Sequence, residues 1–174
     1  MSTDLNEMHQ SLAVTLNQET WTLLERKDRT DKDNHRIIAY AQGSLYHWQR
    51  SPNYKSVNHQ RGEWLIPHVY AVLNRGKEAL AHAETCMDIT INESLIDFDL
   101  AYAYECKARA YTVLRLLKKM NKCLLKAITI GSKIKRMKKK NYSFQTSIVS
   151  PGTSTIKLKN NIIIDNKIKN IFGI

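Results

Sequence analysis

The 174-residue sequence has no long uncharged apolar run and few glycines. No run reaches the ~18 apolar residues of a transmembrane helix, and the polar start lacks the basic and apolar regions of a secretory signal. Six glycines leave little for a phosphate-binding loop, and the GxxxxGK[ST], GxGxxG, GxSxG and HExxH patterns are all missing. We therefore expect a cytoplasmic protein that is not an enzyme, needs no cofactor and does not bind a membrane.

The three cysteines have spacings that suit neither a zinc site nor a redox site. Cys86, Cys106 and Cys123 are 20 and 17 residues apart, unlike a C-x-x-C pair, and are expected to be reduced core thiols. His82 stands four residues before Cys86, a spacing that could aim both side chains at a metal. Two ligands do not complete a tetrahedral site, so no metal is predicted.

The net charge of +11 is concentrated near the C-terminus. Residues 132–174 hold ten Lys or Arg and one acidic residue, which gives +9 and leaves +2 for residues 1–131. The same segment is rich in Ile, Lys and Asn and has no alanine, a composition that poorly offsets the entropy of ordering. Residues 133–174 are therefore predicted to be a basic tail that is poorly ordered or translated from a shifted reading frame.

Before residue 132, apolar residues recur at the spacing of amphipathic helices. Leu5, Met8, Leu12 and Leu16 follow the i, i+3, i+4 pattern, and no useful stretch alternates with a period of two. The sequence predicts an all-α domain over residues 1–132, with antiparallel helix pairs at about 4–50, 58–90 and 99–132. The individual helices are expected at about 4–26, 33–49, 58–73, 77–90, 101–114 and 120–132.

Polar residues near two helix starts are candidate N-caps. Thr30 or Asp31 can accept a hydrogen bond from the free N–H groups at the start of the second helix. Asp97 or Asp99 can do the same for the fifth helix.

Three further features bear on breaks between helices. Pro67 predicts a kink in the third helix or a late start to it. Gly76 is expected to take the left-handed conformation that ends that helix. No comparable turn sequence occurs in the stretch Arg115–Lys118, so the fifth and sixth helices could fuse or fray.

One set of intervals between residues, called here the ladder, occurs twice in the sequence. Tyr70 is followed by Ala79, Ala83 and Cys86, and Tyr111 by Met120, Leu124 and Ala127 at the same intervals. Compact side chains at such points allow two antiparallel helices to approach closely. The second half of the ladder also occurs in the second helix, at Ala41, Leu45 and Trp48, which gives offsets of 38 and 41 residues between Ala41, Ala79 and Met120.

The phrases WLIPHVYAVLNRGKEALAHAETCMDI and FDLAYAYECKARAY resemble the tetratricopeptide repeat. They are also similar to small bacterial tetratricopeptide-like proteins of unassigned function, and the resemblance covers about residues 4–132. The offsets exceed the ~34-residue period of that repeat, and Pro67 stands where it has glycine. The resemblance implies a short superhelix that binds a protein or peptide in its concave groove.

In this architecture the first helix of each pair lines the concave side. The candidate partner-binding residues are Arg61, Trp64 and His68 in the third helix and Tyr102, Glu105 and Arg109 in the fifth. An arginine beside an exposed aromatic ring can hold a carboxylate through paired hydrogen bonds. The competing interpretation is packing and solvated charge, with Glu105 and Arg109 forming an intrahelical pair.

Two other functions are possible. A small metal-dependent or catalytic domain would use His47, His59 and His68, with His47 facing His59 between helices. Alternatively, the basic tail could contact nucleic-acid phosphates nonspecifically, although its few aromatics make a nucleic-acid partner the weaker expectation. The third pair has no capping helix, so self-association through that end is also expected.

Overall fold

The computed structural model describes the backbone of residues 2–141 and the side chains of residues 5–134. Within this part the chain forms six helices and no strand, which confirms the all-α prediction. The helices are α1 (Ser2–Glu25), α2 (Asp31–Arg50), α3 (Ser56–Val72), α4 (Gly76–Asn92), α5 (Asp97–Val113) and α6 (Leu117–Asn141). The predicted end of the last helix, Ser132, is wrong, because α6 reaches Asn141. The predictions for the tail beyond Asn141 lie outside the described residues.

Consecutive helices pack against each other, and α3 also packs against α5. Within the first pair, Ser44 Oγ donates to the Ala13 carbonyl at 2.7 Å. The contacts of α3 with α5 run in parallel register, since Gln60 reaches Asp99 and Trp64 reaches Tyr102. This packing is compatible with a helical repeat.

The two predicted N-caps have different outcomes. Thr30 caps α2 as expected: its side chain accepts from the Asp33 backbone N–H, and the Asp33 carboxylate accepts from the Thr30 N–H. At α5 the prediction is wrong, because Ile96 holds the N-cap position and no side chain caps the helix. Asp99 accepts hydrogen bonds from Arg61 instead.

Helices α3, α4 and α5 end in the same kind of turn. Each turn has one non-glycine residue with positive φ, at 59° for Asn74, 51° for Ser94 and 58° for Arg115. The following N–H reaches back to a carbonyl in the last helical turn, as in the bond from Leu116 to Tyr111 at 2.9 Å. The predicted fusion or fraying of the fifth and sixth helices is therefore wrong.

Gly76 and Pro67 also differ from expectation. Gly76 is the first residue of α4, and a Cβ there would lie 2.9 Å from the Leu114 side chain, so glycine permits close packing rather than ending α3. Pro67 lies inside α3 and is fully buried, so a late start did not occur. Among residues 2–141, no helix is both long and apolar enough to cross a bilayer.

Candidate functional site

The six predicted binding residues lie along the contact between α3 and α5, called here the α3–α5 seam (Arg61, Trp64, His68, Tyr102, Glu105 and Arg109). The Trp64 and Tyr102 rings stack with centroids 4.6 Å apart. The indole N–H of Trp64 donates to Glu105 Oε2 at 2.9 Å. The parallel register of the two helices therefore brings together positions about 40 residues apart in the sequence.

Glu105 is the buried centre of this seam. Glu105 is only 3% exposed. One oxygen of its carboxylate accepts a hydrogen bond from Trp64, and the other accepts one from Arg109. Arg109 binds that oxygen through both Nε, at 2.9 Å, and Nη2. Both carboxylate oxygens are thus occupied, and Glu105 orients its neighbours instead of facing a partner.

Arg61 is the accessible cation of the seam. Its Nε donates to Asp99 Oδ1 at 2.9 Å, while its side chain keeps 57% exposure. Beside it, burial raises the pKa of the Tyr102 hydroxyl, with the Arg61 charge acting in the opposite direction and the Asp99 and Glu105 carboxylates adding to the rise. Arg61 can therefore exchange part of its pairing for a ligand at low desolvation cost.

His68 is buried at the other end of the seam. Neither ring nitrogen has a hydrogen-bond partner within residues 5–134, and the Trp21 ring meets it edge-on at 5.4 Å. Burial holds its pKa well below the usual value, and the Arg109 and Arg29 guanidinium charges lower it further. His68 is therefore neutral at physiological pH.

Sequence reasoning missed Trp21 of α1, which extends the aromatic surface across a third helix. Its ring lies 5.9 Å from that of Trp64, so Trp21, Trp64 and Tyr102 form a row over α1, α3 and α5. Applying the first-helix rule to α1 as well as to α3 and α5 would have identified it.

The histidines of the alternative enzymatic site have separate neighbours. His47 Nδ1 faces His9 Nδ1 at 2.7 Å, so the predicted contact of His47 with His59 is wrong. Burial is the main cause that lowers the pKa of His47, and the charges of His9 and Arg50 lower it further. His59 instead lies near Gln49, Tyr54 and Glu63.

His82 and Cys86 also have different partners. His82 Nδ1 lies 2.7 Å from Glu63 Oε2, whereas the Cys86 thiol donates to the Gln60 carbonyl at 3.5 Å. The cysteines are free, with Cys86 and Cys106 buried. Across the part of the chain with described side chains, no group of three or more His, Cys, Asp or Glu residues is placed to hold a metal.

Comparison with known proteins found no matching protein family, no similar characterised protein and no similar solved structure. The feature from which a function can be inferred is therefore the α3–α5 seam. It combines an aromatic row, a buried carboxylate that orients its neighbours and one accessible guanidinium.

Proposed function

We propose that this chain is a non-enzymatic, tetratricopeptide-like scaffold that binds a peptide or protein segment along the α3–α5 seam. The observation that carries the proposal is the stack of Trp64 on Tyr102 at 4.6 Å next to the exposed guanidinium of Arg61. An aromatic anchor beside an arginine is the kind of surface on which binding free energy is concentrated.

The seam supplies two contacts of different chemistry. An apolar side chain of the partner packs on the partly exposed rings of Trp64 and Tyr102. A carboxylate a few ångströms away takes hydrogen bonds from Arg61, whose planar fork suits that group. The favoured ligand is therefore a segment with an apolar residue close to an acidic one.

The fixed orientation of Trp64 supports this interpretation. Its N–H is already bound to the buried Glu105, and Glu105 is held in turn by Arg109. A ring fixed before binding loses little conformational entropy when the partner arrives. Glu105 and Arg109 therefore act as positioning residues behind the contact surface.

A selection from a random peptide library tests the proposal, with affinities of the selected peptides then measured by fluorescence anisotropy. Arg61→Glu is expected to weaken binding by about tenfold or more, since it replaces an attractive charge with a repulsive one. Arg36→Glu is the matched control, because Arg36 is also a half-exposed arginine beside an aspartate, Asp33.

Two results would contradict the proposal. The first is a selection that yields no peptide binder with the folded protein. The second is a set of binders whose affinity is the same for the Arg61→Glu and Arg36→Glu variants.

A further inference from the structure

Helix α6 carries ten lysine or arginine residues and no acidic residue between Leu117 and Asn141. Four exposed lysines, Lys118, Lys122, Lys126 and Lys133, form what is called here the α6 lysine face. We propose that this face binds the phosphate backbone of a nucleic acid without reading its base sequence. The proposal is independent of peptide binding at the α3–α5 seam.

The lysines share the side of α6 that points away from the core. Met120, Ala127 and Ile134 are buried, whereas the four lysines are exposed and recur at intervals of four, four and seven residues. Such intervals keep side chains on one side of a helix. With a rise of 1.5 Å per residue, the face extends over about 22 Å, enough to meet several phosphates of a duplex.

The α6 lysine face has no ion pair with a carboxylate in the part of the chain whose side chains the structure describes. None of the ion pairs found among residues 5–134 involves a lysine of α6, whereas Arg61 and Arg109 are both paired with acidic side chains. Lys126 instead donates to the Tyr104 hydroxyl at 3.2 Å and lies 4.8 Å from the centre of that ring. Within residues 5–134, the positive charges of this face are therefore without an ion-pair partner.

A residue of α5 adds to the same positive charge. Burial raises the pKa of the Cys123 thiol, while the ammonium groups of Lys107, Lys126 and Lys122 act to lower it. Lys107 of α5 and two lysines of α6 therefore act electrostatically on one point of the surface. Additional cations raise the number of counterions released when a polyanion binds.

The apolar residues of α6 argue against a membrane surface as the ligand. A helix that lies in a bilayer interface buries a continuous apolar face. Met120 and Ala127 are already buried, and the exposed Leu117 and Leu125 are separated by eight positions. What the outward face offers is a row of mobile point charges, which suits phosphates in any base sequence.

The expectation against a nucleic-acid partner had a different premise. It concerned the basic run from Lys133 onward, which was placed in a tail after the folded body, whereas Lys118, Lys122 and Lys126 precede that run on a helix that packs against α5. The backbone of α6 continues to Asn141, and the sequence adds Lys135, Arg136 and Lys138–Lys140 to that stretch.

The test uses the full chain and a labelled DNA duplex of about 20 base pairs, with anisotropy measured from about 50 to about 200 mM salt. The variant is the triple substitution Lys118→Gln, Lys122→Gln and Lys133→Gln. Its dissociation constant is expected to rise about tenfold or more at low salt, and the slope of log K against log salt to fall by about 2–3. A second duplex of unrelated sequence should give the same change.

The matched control removes three exposed lysines elsewhere, Lys27→Gln, Lys32→Gln and Lys77→Gln, and so has the same net charge. Equal losses in the two triple variants would overturn the proposal, because net charge alone would then explain binding. So would failure of the wild-type chain to bind DNA at low salt. Tighter binding to phosphatidylserine vesicles than to DNA, with the same loss in the α6 variant, would assign the face to a membrane instead.

Discussion

The turn after α3 and the turn after α5 have the same backbone but different side chains. In the first, the Arg75 N–H donates to the Tyr70 carbonyl at 2.8 Å, and in the second, the Leu116 N–H donates to the Tyr111 carbonyl at 2.9 Å. The left-handed residue before each donor is Asn74 in one turn and Arg115 in the other. The geometry is therefore fixed by the helix ends and not by a particular turn residue.

The inward faces of α3 and α5 differ more. Trp64 and His68 in α3 correspond to Glu105 and Arg109 in α5, each 41 residues later. Because the helices contact one another directly, the aromatic face of one covers the charged face of the other. Two similar backbones thus build a contact in which a buried carboxylate accepts from an indole N–H of the neighbouring helix as well as from Arg109 of its own helix.

The largest expected effect comes from removing that carboxylate. Glu105→Ala should lower the free energy of unfolding by about 3–5 kcal/mol, because it leaves the mostly buried Arg109 charge without its partner and Trp64 without its acceptor. Urea denaturation followed by tryptophan fluorescence and by circular dichroism measures the change.

The exposed ion pair of the same seam supplies the control. Arg61→Ala removes the contact with Asp99 and should cost about 0–1 kcal/mol, as is usual for a solvent-exposed pair. Equal costs for the two variants would show that Glu105 is not a buried centre and would remove the difference between the buried and the exposed ion pair of the seam.

Most of the fold could be predicted because it follows from local apolar spacing and from compact residues where helices meet. Helix ends were less predictable. The turn after α3 has its left-handed residue at Asn74, not at Gly76. Gly76 is instead required by the close contact with the Leu114 side chain, which lies 38 positions later in the chain. Arg115 adopts a positive φ that its residue type does not favour, so tertiary packing overrides local preference there.

The candidate site was predictable in its positions but not in its pairing. The repeat architecture assigns all six residues to the concave side of the first helices. It does not determine how far one helix is rotated against the other, and that rotation decides that Arg61 meets Asp99 and that Glu105 is buried. Trp21 was missed for a different reason: the first-helix rule was not applied to α1, whose Trp21 ring contacts Trp64 and His68.

The second largest expected effect is the change in stability with pH that is caused by His68. The pKa of His68 is lowered in the folded state from a usual value of 6.5, so the unfolded chain binds its proton more readily. The stability contributed by neutral His68 is therefore present above about pH 6.5 and is lost as pH falls below that value. Denaturation of the wild-type chain at about pH 7 and about pH 5 measures this loss.

The variant His68→Leu isolates the contribution of this residue from that of His47, whose pKa is lowered in the same direction. Its stability should fall less than that of the wild-type chain between the two pH values. At neutral pH the variant should be as stable or more so, because two ring nitrogens without partners are replaced by an apolar group. Parallel pH profiles for the two proteins would place His68 in a solvated environment and contradict the burial argument.

The smallest expected effect is on stability, from glycine substitutions in the turns after α3 and α5. Arg115→Gly should raise the free energy of unfolding by about 0.5–1 kcal/mol, because glycine adopts a φ of 58° without the steric cost that arginine carries there. Asn74→Gly should gain less, since asparagine tolerates the left-handed region better than arginine does. Thermal denaturation of both variants measures the difference, and a loss of stability in Arg115→Gly would mean that the arginine side chain contributes more to the α5–α6 junction than its strained backbone costs. The comparison thus separates what the shared backbone requires from what each side chain adds to it.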